Sequence, residues 1–244
     1  MYRGKKIVAL IPAAGMGTRM GTEQKKQFLM LGDKEILNWT ITHLLCCSWI
    51  DQVVVIAPKE DLDSLETKIN KWTIESEFLI PISVIEGGET RQESVYNGLI
   101  SIQKMEISPD FVLIHDGVRP FIPLEQMNLF FDVLLDTSFK GVIAGTAVTD
   151  TLKKVDSTLK ILETVDRSVT WAVQTPQVFD WTALNSAHKN ALENKLNVTD
   201  DAALLELIGY ESKIIECSSD NIKITKPFDL ILAEFILNHY CTGK

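Results

Sequence analysis

The sequence is poor in the features that would take it out of the ordinary globular classes. No apolar run approaches the ~20 residues needed to span a bilayer, so no membrane association is expected. Positive charge is not in excess: 24 Lys and Arg stand against 33 Asp and Glu, a formal net charge of −9. That balance argues against general nucleic-acid binding, which favours a basic surface. The four cysteines are an adjacent pair, Cys46 and Cys47, and two isolated residues, Cys217 and Cys241. This is neither a disulfide framework nor a zinc spacing, so free thiols in a reducing, cytoplasmic compartment are expected. Internal repeats, low-complexity tracts and long linkers are absent. Two common nucleotide-loop signatures are missing as well. G-x-G-x-x-G fails because Met20 stands at the third glycine, and no Gly-Lys-Ser/Thr follows for a P-loop.

What is present is an alternation. The chain has 244 residues, 45% hydrophobic and 23% charged, enough for one sizeable core. Strand-like runs fall at Ile7–Pro12, Val53–Ala57, Ile82–Ile85, Phe111–His115 and Val142–Ala144. The first is preceded by basic residues and followed by Ala13-Ala14-Gly15, as in a short signal peptide. Its apolar stretch ends at Pro12, too early for that, and it is read as a buried strand. Helical periodicity marks Ile36–Leu45, Leu62–Trp72, Ser94–Ile102 and Leu124–Leu135. Alternating β and α elements predict an α/β fold with a mostly parallel central sheet flanked by helices. Near residue 146 the pattern changes. Thr151–Val155 and Leu159–Val165 read as a β-hairpin leaving the sheet, followed by a strand at Val169–Val173. Helices at Asp180–Glu193 and Asp200–Ile208, a strand at Lys213–Cys217 and a helix near Pro227–His239 complete a single domain over 1–244, with an arm at about 147–168.

Several segments carry chemistry. In Pro12-Ala13-Ala14-Gly15-Met16-Gly17-Thr18-Arg19-Met20, a strand runs into a turn of very small residues and then a cation. Small side chains let backbone N–H groups approach phosphates and a flat base. Taken alone, the segment is equally a tight βα turn without a ligand. Lys26-Gln27-Phe28 follows and can curl back over the loop, while Lys25 and Lys26 taken alone read equally as a solvated pair. Gly87-Gly88 stands before a helix opened by Ser94, where a dipole and free N–H donors suit an anion or a ribose. His115-Asp116-Gly117-Val118-Arg119 ends a strong strand, and Asp116 is the natural candidate for a Mg²⁺ ligand alongside substrate phosphates. Later segments offer Asp166-Arg167, Thr175-Pro176-Gln177, Thr199-Asp200-Asp201 and Asn221-Ile222-Lys223, each also compatible with ordinary surface chemistry.

The ordered set resembles the 2-C-methyl-D-erythritol 4-phosphate cytidylyltransferase family of non-mevalonate isoprenoid synthesis, from Ile7 to Phe235. The resemblance implies a Rossmann-like nucleotidyltransferase fold, a homodimer with interlocking hairpin arms, and Mg²⁺. It implies that CMP passes from CTP to a polyol phosphate with release of pyrophosphate. Arg19 and Lys26 match the catalytic positions that stabilise charge at the transferred phosphate. Pro12, Ala13, Ala14, Gly15, Gly87, Gly88, Ser94, Asp116 and Gly117 match the CTP wall. Thr151, Arg167, Thr175, Thr199 and Lys223 match the acceptor-phosphate positions. Two departures are visible: Gly117-Val118 replace two alanines, and Ser218-Ser219-Asp220 stand where a glycine often precedes Asn-Ile-Lys. A cytidylyltransferase for another polyol phosphate, such as ribitol 5-phosphate, and a non-catalytic nucleotide-binding module remain the alternatives.

Overall fold

The apolar run at Ile7 becomes the buried first strand, β1 (Ile7–Pro12), and Ile7 to Ile11 have no exposed surface. The computed structural model describes residues 1–15, 25–76, 79–105 and 107–242. After β1 come a small hairpin, β2 (Met30–Leu31) and β3 (Lys34–Glu35), and α1 (Ile36–Leu45). The alternation continues with β4 (Gln52–Ala57), α2 (Leu62–Ser76), β5 (Ile82–Glu86), α3 (Arg91–Lys104) and β6 (Phe111–Ile114). Next are α4 (Met127–Asp136), β7 (Gly141–Ala147) and a second hairpin, β8 (Lys153–Val155) with β9 (Ile161–Thr164). The chain closes with β10 (Trp171–Asp180), α5 (Trp181–Glu193), α6 (Asp201–Leu207), β11 (Ser212–Glu216) and α7 (Pro227–Thr242).

Among the described residues, seven strands form the main sheet in the order β11-β7-β10-β6-β1-β4-β5. β1 pairs parallel with β4 and β6, β4 with β5, and β11 with β7. β10 runs antiparallel to both β6 and β7. The chain therefore builds outward from β1 through β4 to β5, then crosses back to place β6 on β1's other side. Such a switch point opens a crevice beyond the carboxyl ends of β1 and β6.

Alternate residues of β1 serve opposite layers, as the two-residue period of a strand requires. Ile7, Ala9 and Ile11 pack with α1, α2 and α4 through Leu37, Ile41, Leu65, Ile69 and Phe130. Val8 and Leu10 pack with α3, α5 and α6 through Val95, Leu99, Leu184 and Leu205. Burial on both faces explains why the central strands read as continuous apolar runs. A third cluster joins α7 to α1 and β2 through Leu31, Ile36, Ile236 and Leu237. Helix α7 opens with Pro227, and the Asp229 carboxylate accepts hydrogen bonds from Thr225 and Lys226.

Two expectations change. The strand expected at Val169–Val173 is β10, which runs on to Asp180. Pro176 cannot donate to a ladder, which masks the continuation in the sequence. The pairing with β7 does shift between Val173 and Gln177, and it resumes beyond. Helix α3 begins at Arg91, not at Ser94. Thr90 is its N-cap and forms a capping box with Glu93. The hairpin β8–β9 is present as expected and separate from the main sheet. Its turn is held by the Asp156 carboxylate, which accepts from the Thr158 N–H, the Thr158 hydroxyl and the Lys160 N–H.

Candidate active site

The crevice at the ends of β1 and β6 holds a cavity of about 310 Å³. Its lining includes Pro12–Gly15, Lys26, Gln27, Gly88–Arg91, Ser94, Asp116, Val118 and Lys223. The loop after β1 is tied down on three sides. The Ala13 N–H donates to Ile56 O (2.8 Å), the Gly117 N–H to Pro12 O (3.2 Å), and buried Gln27 donates Nε2–H to Ala13 O (2.8 Å). The last bond joins the loop to the short 3-10 turn Lys26–Phe28, which carries Lys26 to the cavity. Gly87 lies behind this wall. A Cβ there would come within 2.8 Å of the Ala14 Cβ and 2.9 Å of the Ser94 Oγ, so the close approach requires glycine.

The backbone donors expected to be free at Gly87-Gly88 are engaged within the loop. The Gly87 N–H donates to Ala57 O and the Gly88 N–H to Ser94 Oγ (3.0 Å). The Glu89 and Thr90 N–H groups donate to Glu93 Oε2. Ser94 also donates its hydroxyl to Thr90 O (2.9 Å). In this form the segment is a finished capping structure, and its contribution to the cavity is shape.

Asp116 is the hub of the site. One carboxylate oxygen, Oδ2, meets Lys223 Nζ at 2.8 Å and Arg119 Nε at 3.5 Å, and Oδ1 meets Arg91 Nε at 3.5 Å. Burial alone would raise this carboxyl. Lys223, Arg91 and Arg119 overcome it and hold Asp116 far below the usual carboxylate range. Arg91 is shifted the other way, upward: burial opposes its charge, but Asp201 and Asp116 more than offset that. Lys223 arrives despite the serine-rich approach, because the Ile224 N–H pairs with Val118 O and fixes its segment beside β6.

A second cavity of about 220 Å³ adjoins the first and shares Arg91, Asp116 and Lys223 with it. Arg119, Val173, Gln174, Thr175, Gln177, Thr199 and Asp200 complete its lining. Thr175 is structural in this arrangement. Its hydroxyl oxygen accepts from the Asp116 N–H (3.0 Å) and lies 3.2 Å from His115 Nδ1. His115 Nε2 faces Arg119 O at 2.9 Å, and a carbonyl can only accept. The proton therefore sits on Nε2, and Nδ1 accepts from the Thr175 hydroxyl. Asn221 extends the network by donating Nδ2–H to Thr175 O (2.8 Å), while its backbone carbonyl accepts from Arg119 Nη1 (2.7 Å).

The expected residues thus divide. Pro12, Ala13, Ala14, Gly15, Lys26, Gly88, Ser94 and Asp116 gather at the first cavity, and Thr175, Thr199 and Lys223 at the second. Gly87 and Gly117 stand behind the wall. A Cβ on Gly117 would lie 3.0 Å from the Leu37 side chain and 3.2 Å from the Ala13 Cβ, a tight fit, and the neighbouring Val118 faces the cavity. Thr151 and Arg167 are exposed on the arm and line neither cavity, and Arg167 donates Nη1–H to Thr149 O (2.7 Å). Arg19 lies outside the described residues. Arg91, Arg119 and Gln27 belong to the site but were not assigned to it from sequence. The signal was available for the arginines, one at a helix start after a double glycine and one three residues beyond Asp116.

The donor set does not fit a protein-built Mg²⁺ site. The described residues hold no group of three or more His, Cys, Asp or Glu side chains able to bind a metal. Asp116, expected as a ligand, faces three cations instead.

Known proteins share this architecture. The family described as IspD, 2-C-methyl-D-erythritol 4-phosphate cytidylyltransferase, matches residues 7–239. A 2-C-methyl-D-erythritol 4-phosphate cytidylyltransferase of Crocosphaera subtropica is 42% identical over 233 residues, 96% of this chain and 98% of that protein. One from Clostridioides difficile is 41% identical over 231 residues, covering 94% of this chain and 92% of that protein. The crystal structure of 4-diphosphocytidyl-2C-methyl-D-erythritol synthase from Anaerococcus prevotii superposes with a TM-score of 0.80 at 30% identity, over 96% of this chain and 99% of that one.

Proposed function

The chain belongs to the 2-C-methyl-D-erythritol 4-phosphate cytidylyltransferase family, and on that premise we propose that its two adjoining cavities divide the two substrates of the family reaction. The activity is transfer of CMP from CTP to 2-C-methyl-D-erythritol 4-phosphate, with release of pyrophosphate, in isoprenoid precursor synthesis. The observation that carries the division is the shared border: Arg91, Asp116 and Lys223 line both cavities. CTP takes the larger cavity, under Pro12–Gly15 and Lys26. The acceptor phosphate takes the smaller one, beside Lys223 and Thr199.

The acceptor phosphate attacks the α-phosphorus in line, and the bond to the pyrophosphate oxygen breaks. No strong general base is needed, because a phosphate monoester has a second pKa of about 6 and is largely dianionic at neutral pH. Catalysis then consists of positioning and charge stabilisation. Lys26 and Arg19 stabilise charge on the transferred phosphoryl group, and Lys223 orients the attacking phosphate. Asp116 holds Lys223, Arg91 and Arg119 in register without giving up or taking a proton. Mg²⁺ would enter this reading with CTP and would add charge stabilisation at its phosphates.

Thr151 and Arg167 act on a partner. They line neither cavity of their own chain, and the arm that carries them presents Leu159 and Ile161 at 78% and 58% exposure. A homodimer in which each arm completes the other protomer's acceptor cavity accounts for both facts. The proposed location is the cytoplasm, in keeping with Cys46, Cys47 and Cys217 as free thiols. Among the described residues no helix is long and apolar enough to cross a membrane. The test is pyrophosphate release from CTP and Mg²⁺ with a panel of polyol phosphates. Release with 2-C-methyl-D-erythritol 4-phosphate is expected. Release only with ribitol 5-phosphate would move the substrate, and none with any acceptor would leave a binding module.

A further inference from the structure

We propose that Asp201, backed by His188, is a positioning residue for the transfer reaction, fixing the Arg91 guanidinium at the border of the two cavities. The proposal rests on the assignment of those cavities to the two substrates. Asp201 touches neither cavity, yet it is a carboxylate with 1% exposure, and a buried charge persists only when paired. Its ordinary explanation would be helix capping, since it opens α6. That role is already filled: Asp200 is the N-cap and accepts from the Ala203 N–H (3.2 Å). Both Asp201 oxygens turn to other helices instead. Oδ2 meets Arg91 Nη1 of α3 at 2.7 Å, and Oδ1 meets His188 Nε2 of α5 at 3.1 Å.

His188 in turn is held against Tyr96 of α3, ring on ring at 6.1 Å and 15°. Because a carboxylate only accepts, His188 donates Nε2–H and fixes the plane of Asp201. The carboxyl is accordingly aimed, not free to rotate toward its own helix. Arg91 then has one short contact, to Asp201, and one long contact of 3.5 Å, to Asp116. The short one sets its place. Without Asp201, the nearest compensation for the Arg91 charge is Asp116, and Arg91 would close on it, competing with Lys223 and Arg119 for its oxygens. Asp201 thus keeps Arg91 far enough from Asp116 to leave the border open and its remaining N–H donors available to an anion.

The experiment is a double-mutant cycle on the full-length chain, read as steady-state pyrophosphate release, with thermal unfolding as a folding control. Asp201→Asn is expected to lower kcat about tenfold without a matching rise in KM for CTP, within the coupling seen for residues in direct contact. Arg91→Gln should lower kcat further, and the double variant should be no worse than Arg91→Gln alone. Losses that multiply would overturn the proposal, because Asp201 would then act independently of Arg91. If Asp201→Asn does not unfold cooperatively, the His188 pair decides. His188→Gln keeps an N–H donor for Asp201 and should retain several times the kcat of His188→Leu; equal kcat would overturn the proposal. Absence of turnover in the unmodified chain with every acceptor would instead defeat the underlying functional reading.

Discussion

His115 has no exposed surface, and burial pulls its imidazole down to about 4 from an ordinary value of 6.5. At neutral pH it is neutral, as its bonds to Arg119 O and the Thr175 hydroxyl require. The consequence for stability has a definite sign. Above pH 6.5 neither the folded nor the unfolded state protonates this residue. Between 6.5 and about 4 the unfolded chain takes up a proton that the folded chain refuses, so stability is lost as pH falls. The full shift corresponds to on the order of 3 kcal/mol. Asp116, depressed in the fold, acts in the same direction but only below its ordinary value of 3.8. Urea unfolding at pH 7 and pH 4.5 should therefore show a larger loss for the native sequence than for His115→Asn. Equal losses would show that His115 is not the source. The position of His115 at the end of a strand was readable in the sequence. Its place in a bond chain through Thr175 was not, because Thr175 lies sixty residues further on, in a strand hidden by Pro176.

Among the elements, the 3-10 turn Lys26–Phe28 is held by its neighbours more than by its own length. Lys25 and Lys26 taken alone read in the sequence equally as a solvated pair, yet Lys25 pairs with Glu60 (2.6 Å) and Asp61 (2.7 Å) in the turn just before α2. Gln27 anchors the other side to Ala13. Lys26 is thus presented by a turn clamped to two elements. Its loss in Lys26→Ala should cost ~10²–10³ in kcat, by analogy with a lost oxyanion donor. Lys25→Ala, which loosens the clamp and leaves Lys26 in place, should cost a smaller factor of about ten in kcat, as expected when positioning is relaxed. Near-normal turnover in Lys26→Ala, or a larger loss in Lys25→Ala than in Lys26→Ala, would reverse these roles. The central elements were legible because both faces of the sheet are covered and the strands are uniformly apolar. The hairpin β2–β3 was not, since strands of two residues carry no periodic signal.

At the scale of the molecule, the sequence pattern leads to the sheet, the flanking helices and the arm, but it does not say where the arm goes. A hairpin with most side chains exposed has no apolar period that points to its own core. Arg167 and Thr151, both on the arm, line neither cavity of their own chain, and the proposed homodimer assigns them to the partner's acceptor cavity. Replacing Arg167 with alanine should raise KM for the acceptor phosphate by about 10- to 100-fold, the worth of a hydrogen bond to a charged group. CTP should be little affected. Equal losses for both substrates, or a dimer-independent rate in dilution experiments monitored by sedimentation, would argue against an arm that serves a partner.

β10 leaves the arm at Trp171 and crosses the sheet to Asp180 without a break in the chain. Its ladder to β7 lapses only between Val173 and Gln177, and there it lends Gln174, Thr175 and Gln177 to the smaller cavity. The arm root and the cavity proposed for the acceptor therefore lie on one continuous strand, a few residues apart. A contact made at the arm root is thus a short stretch of backbone from the floor of that cavity, and the arm and the cavity share one strand as their common support.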